Sequence, residues 1–305
     1  MESTLSPSIP AAGAAVVARP VLALPVPLPS FGGLRKFAER RASLVGALIL
    51  APIVLLALAA PVLPLPDVNA PNILNALQAP SADHFFGTDK LGRDIFTRVI
   101  WGARVSLLIG FSVAAIAVIA GMAIGMLSVT LGRAVDSAVM GVVDLLLSFP
   151  SLLLAIGFVA VFGAGVTQVI VAIAIADIPR AIRLQRSLAL GIRGRSYVDA
   201  ARMFSAPTWW IIVRHILPNT VAAMLVVAST YAANAILAEA ALSFLGLGIT
   251  PPTPSWGNII SDGRKYLQDG WWICAFPGMA IVLAAVSLHL LADGLRHTLD
   301  PRAEA

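Results

Sequence analysis

Apolar residues gather in six long stretches divided by polar or turn-rich segments: Leu44–Pro64, Ser106–Thr130, Met140–Phe162, Val166–Ala181, Thr220–Leu242 and Ile273–Asp293. At about 1.5 Å per residue, such lengths suit helices crossing a hydrocarbon layer roughly 30 Å thick. A helix satisfies its own backbone hydrogen bonds where water is absent, so the pattern predicts an all-α integral membrane protein with six transmembrane helices. Only Gly163–Gly165 separates the third stretch from the fourth. Fusing those two would give one implausibly long helix.

The polar positions between the stretches set the orientation. With the N-terminus inside, the cytoplasmic side receives 15 Arg and Lys residues and the outer side 6. The excess, including Arg35, Lys36, Arg40 and Arg41 before the first span, predicts that both termini are cytoplasmic. Two outer segments exceed a simple turn. Leu65–Val105 ends in Gly92–Arg104, which reads as an amphipathic helix lying at the interface. Gly246–Trp272 carries Trp256, Trp271 and Trp272, which suit an interfacial aromatic belt.

Composition narrows the function. Apolar residues make up 58% of 305 positions and charged residues 12%, about half the charged share of a soluble domain. The net charge of +5 is spent on topology and gives no case for nucleic-acid binding. Cys274 is the only cysteine, and the four histidines, His84, His215, His289 and His297, are scattered. No disulfide, metal or cofactor site is expected on this chain. Residues 1–34, rich in Pro, Ala and Ser, lack the charged start of a cleaved signal peptide and read as a disordered cytoplasmic tail.

The segment from Arg180 to Asn219 holds seven arginines. Arg180, Arg183 and Arg186 share one helical face, which suits either membrane anchoring or a partner. Beyond them, Asp199, Ala200 and Ala201 lie in one short helix, and Pro207 and Pro218 bound a second. Small residues bordered by aromatic and basic ones mark a docking element.

This stretch resembles the EAA loop of ATP-binding-cassette importer permeases. That loop runs Glu-Ala-Ala, three residues, Gly, nine residues, then Ile-x-Leu-Pro. Asp199, Ala200, Ala201, Leu217 and Pro218 fall on its spacing, while Asp199, Ser205 and His215 replace Glu, Gly and Ile. If the family Gly adopts φ > 0, Ser205 strains the turn. His215 before Ile216-Leu217-Pro218-Asn219 is similar to the peptide and nickel branch.

The same branch, in its dipeptide/oligopeptide form with an extended N-terminal region, is resembled elsewhere. The carrying segments are Phe86–Asp94, Gly102–Leu107, Ser148-Phe149-Pro150, Leu242–Gly248, Pro254–Gly257, Asp293–Arg296 and Leu299–Arg302. The resemblance covers about residues 35–303.

The resemblance implies a type I permease fold. An N-terminal region (35–103) would precede a transmembrane domain (104–293) with its coupling loop at 184–218 and a cytoplasmic end at 294–305. It also implies residence in the bacterial inner membrane, with a second homologous permease, two ATP-binding subunits, a periplasmic or lipid-anchored solute-binding protein and a peptide substrate as partners. ATP and Mg would sit on the partner subunits. The sequence agrees, since no Gly-x-x-x-x-Gly-Lys-[Ser/Thr] loop occurs and none of the three lysines follows a glycine. Related permeases carry nickel chelates, glutathione or other small solutes. A proton-coupled secondary transporter using Asp144, Asp177 or Glu239 is the alternative from another class.

Charges within the stretches face a cavity or a partner. Asp144, Asp177 and Asp293 read as structural ion pairs, with Arg133 and Arg180 as partners. Glu239 and His289 are candidates for the translocation path, Glu239 equally for a structural hydrogen bond. Gly121 and Gly125 are spaced for close helix approach and predict a helix interface, within this subunit or with a second.

Overall fold

The computed structural model describes residues 41–299 as a bundle of helices. The tail over 1–34 and the last residues, 300–305, lie outside the described residues. Helix α1 (Arg41–Ala59) leads through a long irregular segment to α2 (Ile95–Thr130). Then come α3 (Arg133–Leu147), α4 (Ser151–Phe162), α5 (Val166–Arg193) and the short α6 (Ser196–Met203). The next helix is continuous from residue 208 to 244: α7 (Thr208–Ile211), a π-helical turn (Ile212–Ile216) and α8 (Leu217–Phe244). Helices α9 (Trp256–Gly263) and α10 (Trp272–Leu299) close the chain. The described residues contain no β-strand, only one isolated bridge between Thr88 and Asp94.

Among the described residues, four helical segments are long and apolar enough to cross a membrane: Arg41–Ala59, Ile95–Thr130, Thr208–Phe244 and Trp272–Thr298. Helices α3 and α4 pass the same test together but bend by 87° at their break. Thus the stretch Met140–Phe162 is not one straight helix. Pro150 supplies no backbone N–H and directly precedes the first turn of α4, where none is needed. Helix α5 has the length to cross, but Asp177, Arg180 and Arg183 interrupt its apolar surface.

Helix α2 is the central post. It packs against α5 and α8, while α8 and α1 pack on α10. Gly121 and Gly125 explain the α2–α5 contact: a Cβ on Gly121 would strike Ala181, and one on Gly125 would lie 2.8 Å from the Ile182 carbonyl oxygen. The interface expected from their spacing is therefore internal to this chain.

Two expectations for the end of the bundle away from the Asp199–Pro218 loop, here the far end, need correction. Residues 95–104 are not a separate interfacial helix but the first turns of α2, with Ile95, Thr97, Arg98, Val99 and Ile100 all buried. Asp94 caps them, its side chain accepting the Thr97 N–H at 2.8 Å. Likewise only Trp271 is exposed, at 55%; Trp256 and Trp272 are buried. The Trp256 indole N–H donates to Val99 O at 2.9 Å and that of Trp272 to Thr88 O at 3.0 Å. Each ring thereby combines a large buried area with a satisfied polar edge, which makes it core rather than belt.

The irregular segment 65–94 is fastened to itself and to α9. Asp89 accepts the N–H groups of Leu91 and Arg93 and the Arg93 side chain, the last at 2.6 Å. Gly87, at φ +70°, lies so close to Gln78 O and the Trp272 ring that a side chain would collide with both.

Candidate functional site

The Asp199–Pro218 loop is built from two helix ends and one turn. Helix α6 stops because Ser205 takes a left-handed conformation, φ +58°. The Ser205 N–H then bonds Arg202 O at 2.9 Å and the Ala206 N–H bonds Ala201 O at 3.1 Å. This pair of bonds is a Schellman termination, whose left-handed position usually holds Gly. Pro207 follows at the position where a helix cannot continue.

The second helix does not end at Pro218, contrary to its expected boundary. It runs through the proline because the preceding turn is widened. The Leu217 N–H reaches back five residues to Ile212 O. Pro218 has no N–H to give and its ring would crowd the carbonyl four residues before it. A π turn accommodates both defects without breaking the rod.

The turn carries a concentrated apolar surface. Met203 is 87% exposed and Phe204 88%; Trp209, Trp210 and Val213 continue the exposed apolar residues in the next helix. On the opposite side Val198, Ile211 and Ile216 pack with the ends of α2 and α5, with Ala201 half-buried against them. Ala200 is exposed, as is Asp199, whose Oδ1 accepts the Arg202 Nη1–H at 3.2 Å. The His215 ring lies between those of Tyr197 and Trp210, with centroids 5.6 and 5.0 Å away. Its carbonyl accepts the Asn219 amide at 2.6 Å. Leu217 is half-buried and Pro218 exposed. Behind the turn a cavity of about 230 Å³ is lined by residues including Thr130, Arg193, Arg202 and Ile216, so the loop is not packed solidly against the bundle.

The loop's base is set by ion pairs. Arg180 donates to Asp177 at 2.8 Å, Arg183 to Asp144, and Arg186 to both oxygens of Asp136 at 2.6 Å. The three arginines are thus matched one to one, and two of the pairs tie α5 to α3. Asp144 pairs with Arg183, not the expected Arg133. Asp136 was not singled out from the sequence; its position opposite Arg186 depends on α3 lying beside α5.

The two residues considered for a path stand apart from the loop. Glu239 is completely buried near the far end of α8, accepting Ser243 and Ser255 hydroxyls at 2.7 and 2.8 Å and that of Ser106 at 3.4 Å. In this fold it makes the structural hydrogen bonds considered for it and opens onto no surface. His289 is exposed on α10 and donates from Nδ1 to Ala285 O at 2.8 Å. No cluster of metal-binding side chains occurs among the described residues.

Comparison with known proteins places this architecture. Residues 116–305 match the family described as binding-protein-dependent transport system inner membrane component. A putative peptide transport system permease protein of Brucella suis is 46% identical over 268 residues, covering 88% of this chain and 90% of the relative. A dipeptide transport system permease protein of Alkalihalophilus pseudofirmus is 40% identical, with 89% of each chain covered. A probable D,D-dipeptide transport system permease protein of Escherichia coli is 42% identical, covering 86% of this chain and 88% of the relative. With a family match over more than half its length and a 46% identical relative covering 88% of it, the chain belongs to the inner-membrane permease components of binding-protein-dependent transport systems.

Proposed function

We propose that this protein is one permease subunit of an ATP-driven peptide importer and forms half of the translocation pathway. The relatives named for peptide and dipeptide transport support the substrate class. In this reading the chain crosses the bacterial inner membrane six times, the bent α3–α4 pair and α5 supplying the third and fourth crossings. Both termini lie in the cytoplasm. A second homologous permease completes the pathway, two ATPase subunits hydrolyse ATP with Mg, and a periplasmic or lipid-anchored binding protein delivers peptide.

The observation that carries the reading is the exposure of Met203 and Phe204 at a turn held by its own hydrogen bonds. An exposed apolar patch on a polar, arginine-rich loop marks a protein contact. Asp199, Ala200, Ala201, Ser205, His215, Leu217 and Pro218 then form the element on which an ATPase docks. ATPase closure would displace that turn and alternate the access of the pathway.

The test uses Phe204→Glu and Ala200→Glu, since both positions are exposed, whereas Ala201 helps pack the loop. Tagged variants are expected to insert at wild-type levels, to lose co-purifying ATPase subunits, and to lose peptide uptake. Wild-type uptake and wild-type ATPase recovery in both variants would refute the docking role.

A further inference from the structure

Glu239 is the only carboxylate of the described residues that is wholly buried, and its three hydrogen bonds follow a single rule. Each serine that bonds it also accepts a backbone N–H. Ser106 accepts that of Trp256 at 3.2 Å, Ser255 that of Asn258 at 3.1 Å and Ser243 that of Ile249 at 3.4 Å. A hydroxyl has one hydrogen to give; when it accepts an N–H, that hydrogen is available to a second acceptor. The carboxylate accepts all three. It is therefore the common endpoint of three relays that begin on the backbone of residues 249–258, in the segment that leads into α9 and in its first turn.

The serines come from different elements: Ser106 from α2, Ser243 from α8, and Ser255 from the capping position of α9. Packing leaves no slack around them. A Cβ on Gly257 would lie 2.7 Å from Ala240 Cα and 3.1 Å from Glu239 Oε1. Three elements that the loop sequence separates thus meet on one side chain. That side chain rides on the rod that starts at Thr208 in the docking loop.

We infer that Glu239 is a positioning residue that fastens α9 to both α2 and α8, so that displacement of the docking loop is delivered along one continuous helix to α9 at the far end. The transmitted motion rests on the importer reading above; the fastening does not. Removing the carboxylate strands three buried hydroxyls together. Helix α9 then loosens from the rod while the docking loop, at the other end, stays intact.

Cys274 reports the fastening directly. It lies on α10 beneath α9, its thiol 3.5 Å from Ile260 O and close against Gly263, and it is the only cysteine in the chain. In the assembled transporter, maleimide labelling of Cys274 is expected to quicken at least about fivefold in Glu239→Ala and in Ser255→Ala. Glu239→Gln, which keeps one carbonyl acceptor for Ser243 and Ser255, is expected to stay within about twofold of wild type. In proteoliposomes, Glu239→Ala is expected to hydrolyse ATP but to import several-fold less dialanine per ATP, with Glu239→Gln recovering most of that ratio.

Unchanged Cys274 labelling in assembled Glu239→Ala or Ser255→Ala complexes overturns the fastening. Faster labelling with an unchanged ratio of uptake to hydrolysis overturns the transmission. Should Glu239→Ala fail to assemble, Ser255→Ala carries both readouts. Wild-type uptake and ATPase recovery in the docking variants would sink the docking role and leave the labelling result standing.

Discussion

Replacing Ser205 with Gly tests the termination of α6, and its size follows from one dihedral angle. An L-residue in the left-handed region costs about 1–2 kcal/mol, and Ser205 sits there at φ +58°. Glycine escapes that cost but loses roughly 0.5–1 kcal/mol through its greater freedom when the segment opens. The balance favours Ser205→Gly by about 0.5–1 kcal/mol, a two- to fivefold change in the local opening equilibrium. Hydrogen exchange reads it at the amides of Ser205 and Ala206, whose bonds to Arg202 O and Ala201 O exist only while the turn is closed. In the detergent-solubilised protein both amides are expected to exchange about two to five times more slowly. Ser205→Val is the opposite control, because a β-branched residue is poorly tolerated at positive φ, and exchange is expected to quicken about fivefold or more. Exchange unaltered or faster in Ser205→Gly, or unaltered in Ser205→Val, would refute the claim that the dihedral governs this turn.

Other expectations concern the bundle. Gly121→Val forces α2 away from α5 and is expected to lower the stability of the purified chain by about 1–3 kcal/mol, read by thermal unfolding in detergent. Asp136→Ala removes the two-pronged partner of Arg186; since both groups keep some solvent contact, a loss of about 0.5–1 kcal/mol is expected. The exchanged pair Asp136→Arg with Arg186→Asp should recover part of it in the same assay. Trp256→Phe loses the bond to Val99 O and is expected to cost about 1 kcal/mol, against roughly 3–5 kcal/mol for Trp256→Ala. Equal losses for the two Trp256 variants would show that the ring is not packed as described.

The sequence made the membrane-crossing character readable because long apolar runs admit few alternatives, and it made the Asp199–Pro218 loop stand out because its motif is local. The resemblance, through the Gly that Ser205 replaces, marked that position as the one where a left-handed residue would matter. Other features depended on neighbours remote in sequence. Asp144 and Arg183 are 39 positions apart, and nothing near either names the other. The tryptophans suited a belt by composition, but segment 65–94 and α2 bring acceptor carbonyls to Trp256 and Trp272. Pro150 lay visibly within an apolar run. Whether a proline there bends a helix slightly or turns the chain by 87° is decided by what else packs at the break. Similarly, Pro218 marks a stop only if the preceding turn is α-helical, and here it is π-helical.

The paired charges on α5 have a consequence for how the chain is made. Transferred alone, a helix carrying Asp177, Arg180, Arg183 and Arg186 faces a penalty of about 2.5–3.5 kcal/mol for each charge near the membrane centre. Their positions toward one end of the helix reduce this, and matching with Asp144 and Asp136 reduces it further. Those carboxylates lie on α3, which is synthesised first. Partners for two of α5's arginines therefore leave the ribosome before α5 does. Biogenesis is expected to proceed with α3, α4 and α5 leaving the translocon as one unit, so truncation after α4 should leave a chain less firmly inserted than truncation after α5.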